Sequence, residues 1–140
     1  MATEPFSSTN TSYCFRLRPG QDLKKELLFY CQKYHLHAAC VVSAVGSVDK
    51  AHLRMSGGKD VVEFQGPFEI VSLSGTLGPD GAHLHMAISN YEGQVIGGHL
   101  MDGSVIHTTA EIVLLENHDL TFHREVDGHT QYKELVIKKR

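Results

Sequence analysis

The sequence has no apolar run long enough to cross a bilayer, and no charged segment leading into a short apolar one as at the start of a secretory signal. A membrane-spanning or exported protein is therefore not expected. Cysteine is scarce. Cys14, Cys31 and Cys40 are odd in number and follow no ligand spacing, which argues against a disulfide framework and suits reduced, mostly buried thiols in a cytoplasmic or nuclear protein. A basic excess is also missing: thirteen Lys and Arg stand against sixteen Asp and Glu, a formal charge of −3. No overall positive field draws the chain to nucleic acid or to an anionic membrane. Neither an internal repeat nor a linker divides the 140 residues. That length suits one domain, residues 12–140, behind a Ser/Thr/Asn-rich tail, residues 1–11, expected to be mobile.

Histidine, by contrast, is plentiful, with ten in the chain. Three of them fall in Gly81 to Asp102, G-A-H-L-H-M-A-I-S-N-Y-E-G-Q-V-I-G-G-H-L-M-D. Two apolar runs flank Tyr91-Glu92-Gly93, the pattern of a β-hairpin whose three-residue loop ends on a left-handed glycine. Pairing Asn90 with Gln94 and counting back sets His85 opposite His99. Side chains alternate along a strand, so His83 joins that pair on one face. Leu84, Met86 and Ile88 share the other face with Ile96, Gly98 and Leu100, an apolar side fit for a core. Directly opposed Cβ atoms lie about 5 Å apart, so three imidazoles converge.

Neutral imidazole is a common metal ligand, and three with an open fourth position make a catalytic or exchangeable zinc site. The plainer alternative is a His-rich strand pair facing water or another subunit, each ring satisfied by ordinary hydrogen bonds. Register decides, because a loop one residue longer would turn His99 away. Gly97 and Gly98 leave room for a ligand or another backbone. His107 stands outside the hairpin.

Along the rest of the chain, Ser12 to Arg18 alternates as a first strand. From Gln21 to about His35, Leu23, Leu27, Tyr30, Cys31 and Tyr34 share one helical face, with Lys24 and Lys25 toward solvent. Ala38 to Ala44 and Val48 to Met55 read as two strands joined tightly at Gly46, and Val61 to Phe64 as a short strand. Gly66-Pro67 introduces a further strand from Phe68. Gly78-Pro79-Asp80-Gly81 is a turn into the hairpin. A long strand after Gly103 is apolar on both faces near its end, suggesting a central position or a subunit interface. Thr121 to Val126 and Tyr132 to Lys138 form a last hairpin. The fold class is α+β, a mainly antiparallel sheet covered by one principal helix.

Four stretches in order carry a family resemblance: Phe68 to Gly75 (F-E-I-V-S-L-S-G), Gly81 to His85, Gly97-Gly98-His99-Leu100, and Thr108-Thr109-Ala110-Glu111. With Arg18-Pro19-Gly20-Gln21-Asp22-Leu23 upstream, the chain from about Tyr13 to Leu115 closely resembles the plants-and-prokaryotes-conserved (PPC) domain, found also in plant AT-hook nuclear proteins. The resemblance implies an α+β fold assembled as a homotrimer, and a metal, usually taken as zinc, at the positions matching His83, His85 and His99. Two departures limit the transfer. Pro67 stands where the plant motif has arginine. The nearest thing to an Arg-Gly-Arg-Pro hook is Arg16-Leu17-Arg18-Pro19, which scans as a strand entering a turn.

Three functions follow as expectations. The first is a trimeric module binding zinc through His83, His85 and His99, with a small polar ligand or substrate. Glu69 and Glu111 are its candidate acid–base groups, or structural carboxylates paired with a cation such as Arg54. The second is a non-catalytic oligomerisation and protein-interaction module. The third, DNA binding, is disfavoured by the acidic balance and the missing hook. Nothing in the sequence selects a reaction.

Overall fold

The computed structural model describes residues 4–140. Eight strands and one helix follow in the order β1 (Asn10–Leu17), α1 (Leu23–Lys33), β2 (Ala39–Arg54), β3 (Val61–Gly78), β4 (Gly81–Ser89), β5 (Val95–Leu100), β6 (Val105–Asn117), β7 (Leu120–Val126) and β8 (Lys133–Lys139). Six strands form an antiparallel sheet in the order β1-β6-β2-β3-β4-β5, and β7 and β8 pair as a separate hairpin. This is the expected α+β class.

The helix is shorter than its apolar periodicity suggested. Asp22 caps it, accepting from the Lys25 backbone N–H at 3.1 Å, and so fixes its start. Leu23, Leu27 and Cys31 then point into the core under the sheet. Tyr34 is exposed, yet its ring stacks at 6.0 Å on Tyr30, which itself stacks at 4.0 Å on Phe15. Burial pushes the Cys31 thiol up to about 12, with the nearby Glu116 charge adding to the effect. Cys40 is half-buried, and Cys14 is exposed, against the expectation of mostly buried thiols. On a strand whose alternate residues face outward, position 14 falls on the solvent side between Tyr13 and Phe15.

Two expected strand breaks are absent. β2 runs unbroken through Gly46, because that glycine serves a close approach: a Cβ there would strike the Thr109 carbonyl of β6. β3 likewise runs through Gly66-Pro67, where the peptide is cis. The long strand expected to be central, β6, lies between β1 and β2. Of the expected tail, residues 1–3 lie outside the described residues. Thr9 N and Ser8 Oγ both bond Asp119 Oδ2 at 3.0 Å, and β1 already begins at Asn10.

What positions the site is a closure. One edge of β2 is taken by β6 as far as Lys50, and then by the end of β5, through Leu53↔Leu100 and Arg54↔His99. The strands β2, β3, β4 and β5 thus curl back on themselves. Leu53, Leu77, Leu84, Met86, Ile88 and Leu100 are fully buried on the inner side, each worth about 1.5–3 kcal/mol relative to exposure.

Candidate metal centre

The hairpin β4–β5 forms as its sequence specified. Asn90 N donates to Gln94 O at 3.0 Å, Gly93 N donates to Asn90 O at 3.0 Å, and Gly93 adopts φ +79°. The Asn90 side chain ties the loop further, accepting from Glu92 N at 3.0 Å and Gln94 N at 2.9 Å. His85 pairs with His99, and Leu84, Met86, Ile88 and Leu100 are buried on the opposite face. Ile96, expected on that face as well, is 36% exposed near the start of β5.

The three imidazoles meet. Ring centroids are 5.0 Å apart for His83–His85, 5.2 Å for His83–His99 and 5.7 Å for His85–His99. One nitrogen of each lies within 4.8 Å of the others, and the Nε2 atoms of His83 and His85 are 3.2 Å apart. Two imidazole nitrogens that close are a suitable edge for tetrahedral zinc, whose Zn–N bonds of about 2.0–2.1 Å set donors roughly 3.3 Å apart. His99 Nδ1 is buried with no hydrogen-bond partner, so that ring is not committed at this atom to an internal bond. The donor set fits a divalent ion.

Register also supplies the surroundings. Across β3, Thr76 opposes His83, Ser74 opposes His85, and Ser72 opposes Ala87. Across β2, Arg54 opposes His99. The second arginine, Arg124 of β7, bonds Thr76 Oγ1 at 2.7 Å and reaches within 3.5 Å of His83 Nδ1. Its backbone N–H and the His123 ring are both held by Asp80 Oδ2 at 3.0 Å. Burial, then the charge of Arg54, brings His99 down to about 4. Burial, then Arg124, lowers His83. Both effects favour the neutral ring, the form that can donate a lone pair to a metal.

The glycines before His99 serve close backbone approach. A Cβ on Gly98 would meet the Arg54 carbonyl at 2.7 Å, and one on Gly97 the Met86 carbonyl at 2.8 Å. They let β5 fit between β4 and β2 and so bring His99 to Arg54.

A cleft of about 800 Å³ opens beside the histidines, lined in part by Arg54, Met55, Met86, Gly97, Gly98 and Tyr132. A smaller one, about 300 Å³, lies between His83, His99, Arg124, Tyr132 and Glu134. Glu69 and Glu111, the two carboxylates weighed from the sequence, are exposed and line neither cleft. Glu69 pairs with Ser47 and Ser89, and Glu111 with Arg16 and Val45. Arg54 partners neither; its guanidinium lies over the Tyr132 ring at 5.9 Å. The carboxylate that the fold does bring beside the histidines is Glu134. Its position depends on how the β7–β8 hairpin docks, which no local pattern shows. His107 is held by Asp49, Nδ1 to Oδ1 at 2.5 Å, and takes no part.

The lowered pKa values carry a stability consequence. An unfolded histidine titrates near 6.5, whereas folded His99 does so at about 4. Between those values the unfolded chain binds more protons, so stability is full above about 6.5 and falls as pH drops toward 4. Thermal unfolding in chelator at pH 7.5 and 4.5 is expected to show a larger loss for wild type than for His99→Gln. Equal losses would contradict the assignment.

Comparison with known proteins agrees with the fold. The sequence pattern of the Plants and Prokaryotes Conserved (PCC) domain matches residues 5–118, and the chain belongs to that family. The bifunctional protein GlmU of Synechococcus sp. (strain JA-3-3Ab) is 46% identical over 127 residues, covering 91% of this chain but 20% of GlmU. The chain thus spans about a fifth of that relative's length. A hypothetical protein from Salmonella cholerae-suis superposes with a TM-score of 0.94 at 38% identity, covering 96% of this chain and 98% of its own. A protein of Archaeoglobus fulgidus described as metal-containing superposes with a TM-score of 0.78 at 26% identity, covering 97% and 99%. Among the described residues, no helix is long and apolar enough to cross a membrane.

Proposed function

We propose that this protein is a homotrimeric metal-binding module that holds zinc through His83, His85 and His99 and presents its open coordination position to a small ligand. The observation that carries the reading is the convergence of one nitrogen from each ring within 4.8 Å, on strands whose register leaves no alternative facing. The metal-containing relative from Archaeoglobus fulgidus supports it. Bound there, zinc would act as a Lewis acid or lower the pKa of a bound water. The chain's own part is to fix three imidazole donors on the β4–β5 pair, to orient His83 beside Arg124 and to shape the cleft alongside. Self-association is supported by Val42, Val45 and Val71, which stand 58%, 60% and 54% exposed on β2 and β3. Cytoplasmic or nuclear placement is part of the same proposal.

Elemental analysis of untagged protein tests the reading. About one zinc per chain is expected, falling to background in His83→Ala and His99→Ala while both variants keep the wild-type assembly size. Wild-type protein purified without metal, and unable to take zinc up, would overturn it. Nucleic acid is not the partner proposed, since the formal charge is −3 and binding to phosphates draws on a basic surface.

A further inference from the structure

We propose that the larger cleft beside the histidines binds an organic carboxylate, with Arg54 pairing its carboxylate group. This rests on the metal reading above and extends it to a class of ligand.

The two arginines near the histidines stand in different circumstances. Arg124 is committed: it donates to Thr76 at 2.7 Å and reaches within 3.5 Å of His83 Nδ1, and although both arginines line the smaller cleft with Glu134, only Arg124 is tied to its neighbours by side-chain hydrogen bonds. Arg54 is not. Among the described residues its guanidinium has no ion pair and no hydrogen bond to a side chain, and it rests on the Tyr132 ring. It nevertheless has a fixed place, directly opposite His99 on the same face of the curled sheet.

The charge of the cleft decides what it can take. Its lining includes Arg54 and the three histidines, and no aspartate or glutamate. Imidazole donors add no charge of their own, so a divalent ion would keep its full charge, and Arg54 and Arg124 add to it against the carboxylate of Glu134 in the adjoining smaller cleft. A neutral ligand would exclude water from the ion and Arg54 and offset neither, which is costly. An anion removes the imbalance. Its form follows from the remaining walls. Met55, Ala87 and Tyr132 are apolar or aromatic and stand among Ser56, Ser72 and Gln131, so part of the wall suits a hydrocarbon body rather than a bare inorganic ion. A single planar guanidinium matches the two oxygens of a carboxylate. About 800 Å³ is ample for a small organic acid.

The test uses untagged full-length protein loaded with cobalt(II), whose visible bands report the coordination sphere. Benzoate is the probe, with benzamide as its uncharged analogue and inorganic phosphate as the competing anion. Benzoate is expected to shift the bands saturably, and benzamide and phosphate to do so far less. Arg54→Gln is expected to keep one cobalt per chain and the starting spectrum while weakening benzoate about tenfold or more. Arg54→Lys should recover part of that loss. The wild-type comparison of benzoate with benzamide stands without any variant, should Arg54→Gln not fold. Cobalt uptake with no response to benzoate would overturn this inference alone, as would Arg54→Gln binding benzoate as tightly as wild type, or phosphate binding more tightly than benzoate. Failure of the wild type to take up cobalt would overturn the metal reading, and this inference with it.

Discussion

Glu116→Ala is expected to be the most damaging single change outside the hydrophobic core, lowering stability by about 4 kcal/mol. Glu116 is 2% exposed at the end of β6. Its Oε1 accepts from His37 N and its Oε2 from Ala38 N, each at 2.9 Å, and the Arg140 guanidinium closes on it as well. One carboxylate thus ties the segment after α1 to the final strand pair. Alanine would leave two backbone donors without partners and break the ion pair of Arg140, which is exposed and keeps its bond to Leu120 O. Each orphaned buried group costs about 1–3 kcal/mol, and for a domain of this size the sum corresponds to a drop in Tm of about 10 °C. Glutamine, which keeps one acceptor oxygen and no charge, should lose roughly half as much. Thermal unfolding of the two variants checks this. A change under about 1 kcal/mol for alanine would mean the contacts are not maintained in solution.

Zinc itself should give the second large effect. A ligand binding only the folded chain stabilises it by RT ln(1 + [L]/Kd), about 4 kcal/mol at a thousandfold excess over Kd. Tm is therefore expected to rise by about 10 °C between chelator and excess zinc. His99→Ala should abolish the rise, and Glu116→Gln, distant from the histidines, should keep it. A zinc-dependent rise that survives in His99→Ala would place the stabilising ion elsewhere.

What could be read from the sequence was what local chemistry determines. The β4–β5 register was legible because one loop, closed by Gly93 in the left-handed region, counts out both strands. The amphipathic helix was legible because Leu23, Leu27 and Cys31 recur at helical spacing. Arg54 was not assignable to the site, because its pairing with His99 joins strands 45 positions apart through a closure that no turn announces. Gly46 looked like a hinge because a glycine needed for a turn and one needed beneath a neighbouring carbonyl are identical in sequence. Glu116 had the same ambiguity in reverse. In Leu114-Leu115-Glu116-Asn117 it resembles a solvated strand end, and only the return of Arg140 and the arrival of His37 and Ala38 show it to be enclosed. Glu69 and Glu111 drew notice for interrupting apolar strands. On sheets with alternating faces both project outward between buried neighbours.

The central claim is that His83, His85 and His99 share one metal ion. An anomalous difference map, from crystals of untagged protein and data collected on both sides of the zinc absorption edge, tests it most directly. One strong peak per chain is expected, about 2.0–2.1 Å from a nitrogen of each of the three imidazoles. A zinc-replete crystal with no peak among these rings, or with its peak on other residues, would contradict it.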